Sequence, residues 1–222
     1  MLVLSHRGYH VEHPENTLAA FRAALEWGVD GIETDIRLSA DGVPVLLHDH
    51  LTADGRTIDA LTHAEMNQLR GHRIPTLTEA LELAVPNPAR FIWNLEIKTP
   101  AAVETTIDLI RRFGDRRRIL VTSFWHPVVA EVSRQVDVEC GLLICARPIW
   151  TGQRPDWIPS SPHITTLVWN WEFTDSELVA ASQAQGLQNF VYGVTTRAEH
   201  EAARQMGLTG IITDRPEFAS PT

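Results

Sequence analysis

Glu33 and Asp35 stand two residues apart in the run GIETDIRLSADGVPVLLHDH (31–50). A strand puts residues at that spacing on one face. Carboxylates leaving an apolar strand are costly to bury unless paired or bound to a metal. Asp41-Gly42 follows as a hairpin signal between two apolar runs. A symmetric fold about that turn pairs position 35 with position 48, placing His48 across from Asp35 at a cross-strand spacing of ~5 Å. Asn94, Glu96 and Lys98 alternate along a later apolar run and share a face, and His6-Arg7 closes the first one. Glu33, Asp35 and Glu96 then offer three hard oxygen ligands, which suit Mg²⁺ or Ca²⁺ rather than a thiolate-seeking metal. Arg7 and Lys98 supply cations for a phosphate, one as a planar fork and one as a point charge. His6 and His48 titrate near neutrality, as acid/base catalysis requires. The set fits in-line displacement at phosphorus, with metal and cations stabilising charged oxygens while the histidines move protons. Any one of these residues alone reads as a structural ion pair; together they make a site only where the fold brings them to one place.

They meet if strands and helices alternate. Strand-like runs are 2–5, 31–37, 91–97, 118–123, 140–145, 165–169, 189–194 and 210–213, with 43–48 as the returning hairpin arm. Helical runs are 101–113, 127–135, 174–185 and 196–206. Earlier, Asn16 is expected to cap a helix through Trp27, Pro75-Thr76 opens another, and a short one is expected near 62–69. Eight strands in this rhythm predict a (β/α)₈ TIM barrel with a β-hairpin arm after the second strand, spanning 1–222 as one domain. An open doubly wound sheet is the alternative, but no Gly-x-Gly-x-x-Gly loop follows the first strand. In a barrel the site gathers at the strand C-terminal ends, where His6, Ser123, Asn170 and Asp214 also fall. The Pro-rich stretch 147–162 reads as a loop over the mouth, with Trp150 and Trp157 either shaping a pocket or packing the loop down. Glu15 either approaches the site or bonds at the first helix start. His10, His13, His50, His63, His72, His126, His163 and His200 are expected on surfaces or loops.

Composition removes several classes. The net charge of −9, from 19 basic and 28 acidic residues with no long basic run, argues against nucleic acid as a partner. No apolar run reaches the ~18 residues of a membrane span, and no signal-like segment opens the sequence, so a cytoplasmic protein is expected. Cys140 and Cys145 point to opposite faces of one strand, so no disulfide is expected, and core packing in a reducing compartment is.

HRG (6–8), PENTLAAF (14–21), IETDIRLSADGVPVLLHD (32–49), IPTLTEAL (74–81), NLEIK (94–98), SF (123–124) and GIITDRP (210–216) together resemble the glycerophosphodiester phosphodiesterase family. The resemblance implies a barrel that hydrolyses glycerophosphodiesters to glycerol phosphate and an alcohol. It implies His6 and His48 as the acid/base pair, Arg7 and Lys98 as phosphate contacts, and Glu33, Asp35 and Glu96 as ligands of Mg²⁺ or Ca²⁺. Two departures stand out. The segment after His48 is short, its usual RTTNGTG-like run reduced to DGRTID (54–59), and near the seventh strand Tyr192 and Thr195 replace a larger aromatic and an Asn. The runner-up readings are a related phosphodiesterase acting on lysophospholipids or other phosphodiesters, and a non-catalytic phosphate-binding barrel.

Overall fold

The computed structural model describes residues 1–150 and 153–219. In chain order its strands are β1 (Leu2–His6), β2 (Gly31–Leu38), β3 (Pro44–Leu46), β4 (Ile92–Ile97), β5 (Arg118–Ser123), β6 (Glu139–Ile144), β7 (Ile164–Asn170), β8 (Gln188–Val194) and β9 (Gly210–Thr213). All except β3 pair in parallel around a ring that closes where β9 and β2 both bond to β1. β3 lies outside the ring, antiparallel to β2. The (β/α)₈ barrel with its hairpin arm is therefore as the alternation predicts.

The helices are α1 (Leu18–Glu26), α2 (His63–Arg70), α3 (Leu77–Glu82), α4 (Val103–Phe113), α5 (His126–Gln135), α6 (Ser176–Gln183) and α7 (Arg197–Gln205). Their starts follow from sequence. Thr62, Thr76 and Thr196 each form a capping box with the glutamate three residues on, and Asp175 caps α6. For α1 the cap is Thr17, whose hydroxyl accepts from Ala20 N–H, and not Asn16. Asn16 instead adopts a left-handed backbone and turns its amide into the barrel mouth.

Inside the barrel, Leu4, Ile92, Leu120, Leu143, Val168, Phe190 and Ile212 form an apolar plug, one residue from each of seven strands. By strand alternation Glu33 and Asp35 on β2, and Asn94 and Glu96 on β4, continue the same inward faces above it. Polar groups thus begin where the plug ends. A larger shell of core lies between the strands and the outer helices. Within residues 49–75, α2 forms where a short helix is expected near 62–69, and with a short 3₁₀ turn it covers a cluster of Val45, Leu47, Ile58, Leu61, Met66 and Ile74.

Several expectations need correction. The hairpin turns through three residues, Ala40 to Gly42: Ser39 N–H donates to Val43 O, and Gly42 takes the left-handed backbone at φ 78°. The extra residue shifts the register by one, so Leu47, not His48, faces Asp35, its N–H donating to Asp35 O at 3.1 Å. His200 is buried, its Nε2 2.9 Å from the Thr213 hydroxyl. Cys140 is buried, but Cys145 lies just past β6 and is exposed, so it packs no core. In the mouth loop, Thr151 and Gly152 lie outside the described residues. Trp150 packs on Trp169 and Trp157, and Trp157 stacks on His126, so both indoles hold the loop down.

Candidate active site

Three backbone hydrogen bonds along one edge of β2 organise the mouth. Glu33 O accepts from Arg7 N–H as β1 ends, Asp35 N–H donates to Asn16 Oδ1 at 3.2 Å, and Asp35 O accepts from Leu47 N–H as the arm arrives. The Asn16 side chain fills the gap between β1 and the arm. Its Oδ1 also takes the Thr34 hydroxyl, and its Nδ2 donates to Asp35 Oδ2 at 2.8 Å. Arg7 and Gly8 follow β1 with φ of 56° and 77°, and this left-handed pair reverses the chain. A Cβ on Gly8 would stand 2.7 Å from the Ala20 carbonyl carbon, so α1 can approach only because that position is glycine.

Glu33, Asp35 and Glu96 are buried, and one oxygen from each lies within 4.8 Å of the others. Glu33 Oε1 is enclosed with no hydrogen-bond donor. Burial, reinforced by Asp35 and Glu96, raises the Glu33 carboxyl well above the usual carboxylate range. Burial and then Asp35 raise Glu96. Burial works against Asp35 as well, but Arg7 and Lys98 outweigh it and hold its pKa below the ordinary value. Three crowded carboxylates, one with an orphaned oxygen, fit a hard divalent cation, which would supply the positive charge that burial withholds.

Two cations already lean on this group. Arg7 Nε is 3.1 Å from Asp35 Oδ2, and its Nη1 bonds Glu15 at 2.9 Å. Lys98 Nζ is 2.7 Å from Glu96 Oε1 and 3.3 Å from Asp35 Oδ1. Burial disfavours both charges, yet the neighbouring carboxylates, Asp35 first for Arg7 and Glu96 first for Lys98, raise both above their ordinary values. Both therefore remain charged at neutral pH.

His6 Nδ1 lies 2.5 Å from Asp214 Oδ1, and its Nε2 lies 3.8 Å from Glu33 Oε2. The carboxylate fixes the ring and leaves Nε2 facing the mouth. His48 lies just beyond β3, with burial the first cause of its lowered pKa. Both rings line one cavity of about 290 Å³ with Arg7, Glu33, Asn94, Glu96 and Lys98. Its other walls include Thr122, Phe124, Leu143 and Tyr192. Every residue singled out by spacing thus lines this cavity, except Asp35, which lies behind Arg7 and Lys98.

The glycerophosphoryl diester phosphodiesterase family model matches residues 6–218. The chain belongs to this family. It is 31% identical to a glycerophosphodiester phosphodiesterase of Caldanaerobacter subterraneus subsp. tengcongensis, over 97% of this chain and 95% of that protein. It is 32% identical to one from Bacillus altitudinis, over 98% and 96%. Among solved structures, an Oleispira antarctica phosphodiesterase in complex with the product sn-glycerol-3-phosphate aligns with a TM-score of 0.83. That match has 25% identity and covers 99% of this chain and 95% of that one. A putative glycerophosphoryl diester phosphodiesterase from Silicibacter pomeroyi shares the fold at TM-score 0.83 and 23% identity, covering 99% and 91%. The chain is an enzyme of this phosphodiesterase family.

The glycerophosphodiester phosphodiesterase fold also draws in residues that spacing alone passed over. Asp214 was legible as the end of a strand, but not as the partner of His6. His10, expected on the surface, sets Nε2 3.0 Å from the same Asp214 oxygen, and that hydrogen bond is the first cause of its raised pKa. Asn94 is buried and lines the cavity; its Oδ1 accepts from Thr122, while Nδ2 has no acceptor among the described residues. Of the two departures near β8, Tyr192 lines the cavity edge-on to Phe124, with burial pushing its phenol up to about 12. Thr195 points away and bonds the Glu199 carboxylate at the start of α7.

Proposed function

We propose that this protein hydrolyses glycerophosphodiesters to glycerol phosphate and an alcohol, with a divalent cation held by Glu33, Asp35 and Glu96. The observation that carries the reading is one cavity in which a three-carboxylate cluster, two cations and two histidines converge. A bound Mg²⁺ or Ca²⁺ supplies Lewis-acid polarisation of a phosphoryl oxygen. Arg7 and Lys98 neutralise the other phosphoryl oxygens, Arg7 with guanidinium donors and Lys98 as a movable point charge. The Asn94 Nδ2, which has no acceptor among the described residues, donates to a substrate oxygen. An entering oxygen, from water or from a neighbouring glycerol hydroxyl, forms the new P–O bond and loses its proton to one histidine. The P–O bond to the alcohol breaks as the other histidine protonates the departing oxygen; where a glycerol hydroxyl has attacked, water opens the resulting cyclic phosphate in a second displacement with the histidine roles exchanged. Asp214 keeps the His6 ring oriented and stabilises its imidazolium, the form that gives the Nε2 proton to the departing oxygen, which leaves His48 as the base.

Phe124, on the cavity wall, is 42% exposed, and the adjacent Trp125 is 54% exposed. That apolar rim is the feature favouring lysophospholipids as a second substrate class. Unpaired Cys140 and Cys145 fit a reducing, cytoplasmic setting. Purified protein assayed on glycerophosphocholine, glycerophosphoethanolamine, glycerophosphoglycerol and lysophosphatidylcholine, with Mg²⁺, with Ca²⁺ and with chelator, tests the reading. Metal-supported release of glycerol phosphate is expected. Unchanged turnover in chelator sinks the metal role, and no turnover of any diester sinks the catalytic reading.

A further inference from the structure

A main-chain carbonyl that leaves a sheet ladder while still partly buried needs another donor. The His48 carbonyl is in that position, because β3 ends at Leu46 and the Leu47 N–H makes the arm's last bond to β2. Arg37 provides the donors. Its Nε and Nη2 both reach the His48 carbonyl oxygen, at 3.1 and 3.0 Å. Its Nη1 lies 3.6 Å from Asp59 Oδ1, in the 3₁₀ turn of the 49–75 segment. The Arg37 side chain is only 7% exposed. It sits two residues beyond Asp35 on the same face of β2, yet it does not line the cavity.

The ring of His48 has a second tie, of different quality. Its Nδ1 lies 3.2 Å from Asp49 Oδ1, and Arg70 holds the other Asp49 oxygen. Those groups are open to water, where such pairs contribute little. The buried fork on the carbonyl is the firmer hold.

We propose that Arg37 is a positioning residue for His48. It fixes the main chain at the point where the arm leaves the ladder, so the imidazole enters the mouth instead of following the strand. Asp59 makes that grip depend on the 49–75 segment, which is how a stretch outside the cavity acts on the chemistry. A lysine at 37 can make only one of the two bonds, so charge alone does not replace the fork. The inference rests on the acid/base role given above to His48.

A double-mutant cycle tests it: kcat and KM for glycerophosphocholine at saturating Mg²⁺ in wild type, R37Q, H48A and H48A/R37Q. The Mg²⁺-induced rise in Tm is measured on each. A displacement of about 1 Å can lower a rate ~10²-fold, so R37Q is expected to reduce kcat by roughly one to two decades. KM and the Mg²⁺-induced Tm shift should stay at wild-type values. On the H48A background R37Q should change kcat no further, because the group it positions is gone. Equal losses with and without His48, or wild-type kcat in R37Q, overturn the proposal. If R37Q does not fold by circular dichroism, R37K and D59N replace it in the cycle with the same expected non-additivity. Wild-type protein that turns over no glycerophosphodiester overturns the functional reading, and the positioning role with it; additive variants on an active wild type overturn the positioning role alone.

Discussion

Asn16→Ala removes more than its surface chemistry suggests. The side chain donates to Asp35 Oδ2 at 2.8 Å and accepts from the Thr34 hydroxyl and the Asp35 N–H, all in the buried edge of β2. The bond to a carboxylate contributes roughly 1.5–3 kcal/mol, and each buried donor left alone costs about 1–3 kcal/mol. The backbone at position 16 is left-handed, φ 56°. Alanine pays about 1–2 kcal/mol there. Taking the low end of every contribution gives a destabilisation of about 4.5 kcal/mol, a large share of a typical domain's stability. Asn16→Gly loses the same hydrogen bonds but tolerates the backbone, so it should recover about 1 kcal/mol. Urea unfolding followed through the seven tryptophans, with and without Mg²⁺, measures both variants. The gain in stability on adding Mg²⁺ should also fall, since Asp35 loses a donor that lowers its pKa. A loss under about 1 kcal/mol in Asn16→Ala, or Asn16→Gly no more stable than Asn16→Ala, would refute the reasoning.

Other outcomes follow from the same geometry. At 100 times its dissociation constant, Mg²⁺ or Ca²⁺ should stabilise the wild type by about 2.7 kcal/mol, and E33Q or E96Q should lose most of that shift in a thermal melt. Because His48 has a lowered pKa, it is neutral at pH 7 and gains its proton only below its ordinary 6.5. The acid limb of the kcat/KM profile that H48A removes should therefore have its midpoint below 6.5; a midpoint above 7 contradicts the assigned environment. D214N keeps the shape of Asp214 but not its charge, and should lower kcat by about 10²-fold or more while leaving the metal-induced stabilisation intact. N94A should raise KM for glycerophosphocholine, because the Nδ2 it removes has no acceptor among the described residues, and should also lower Tm, because the buried Thr122 hydroxyl loses its acceptor.

Legibility in the sequence followed how local each signal was. Period-two spacing put Glu33 with Asp35 and Asn94 with Glu96, and pleating alone makes those faces, so they met as expected. The barrel was legible because helical and extended periodicities alternate along most of the chain, broken only by the hairpin arm and the Pro-rich stretch 147–162. The hairpin register was not, since one residue in a turn decides it: Gly42 in a left-handed conformation lengthens the loop from two to three, and spacing cannot distinguish the two lengths. His48 still reached the mouth, by leaving the strand instead of by pairing in it. Asn16 looked like a helix cap because Asn and Thr both cap well, and only the bonds from Asn16 to Thr34 and Asp35 show which one turns inward. Asp214 was hidden for another reason. Its partner His6 is 208 residues away in sequence, and no local pattern announces a contact of that range.

That separation means the site is assembled in two stages during synthesis. A nascent chain that has reached residue 98 already contains Glu33, Asp35, Glu96, Arg7 and Lys98, the proposed cation cradle and both phosphate contacts. His6 receives its carboxylate only when β9 arrives and bonds β1, which is also the step that seals the barrel. The strand that closes the ring thus also carries in Asp214, the residue after it, which completes the proposed proton-transfer pair.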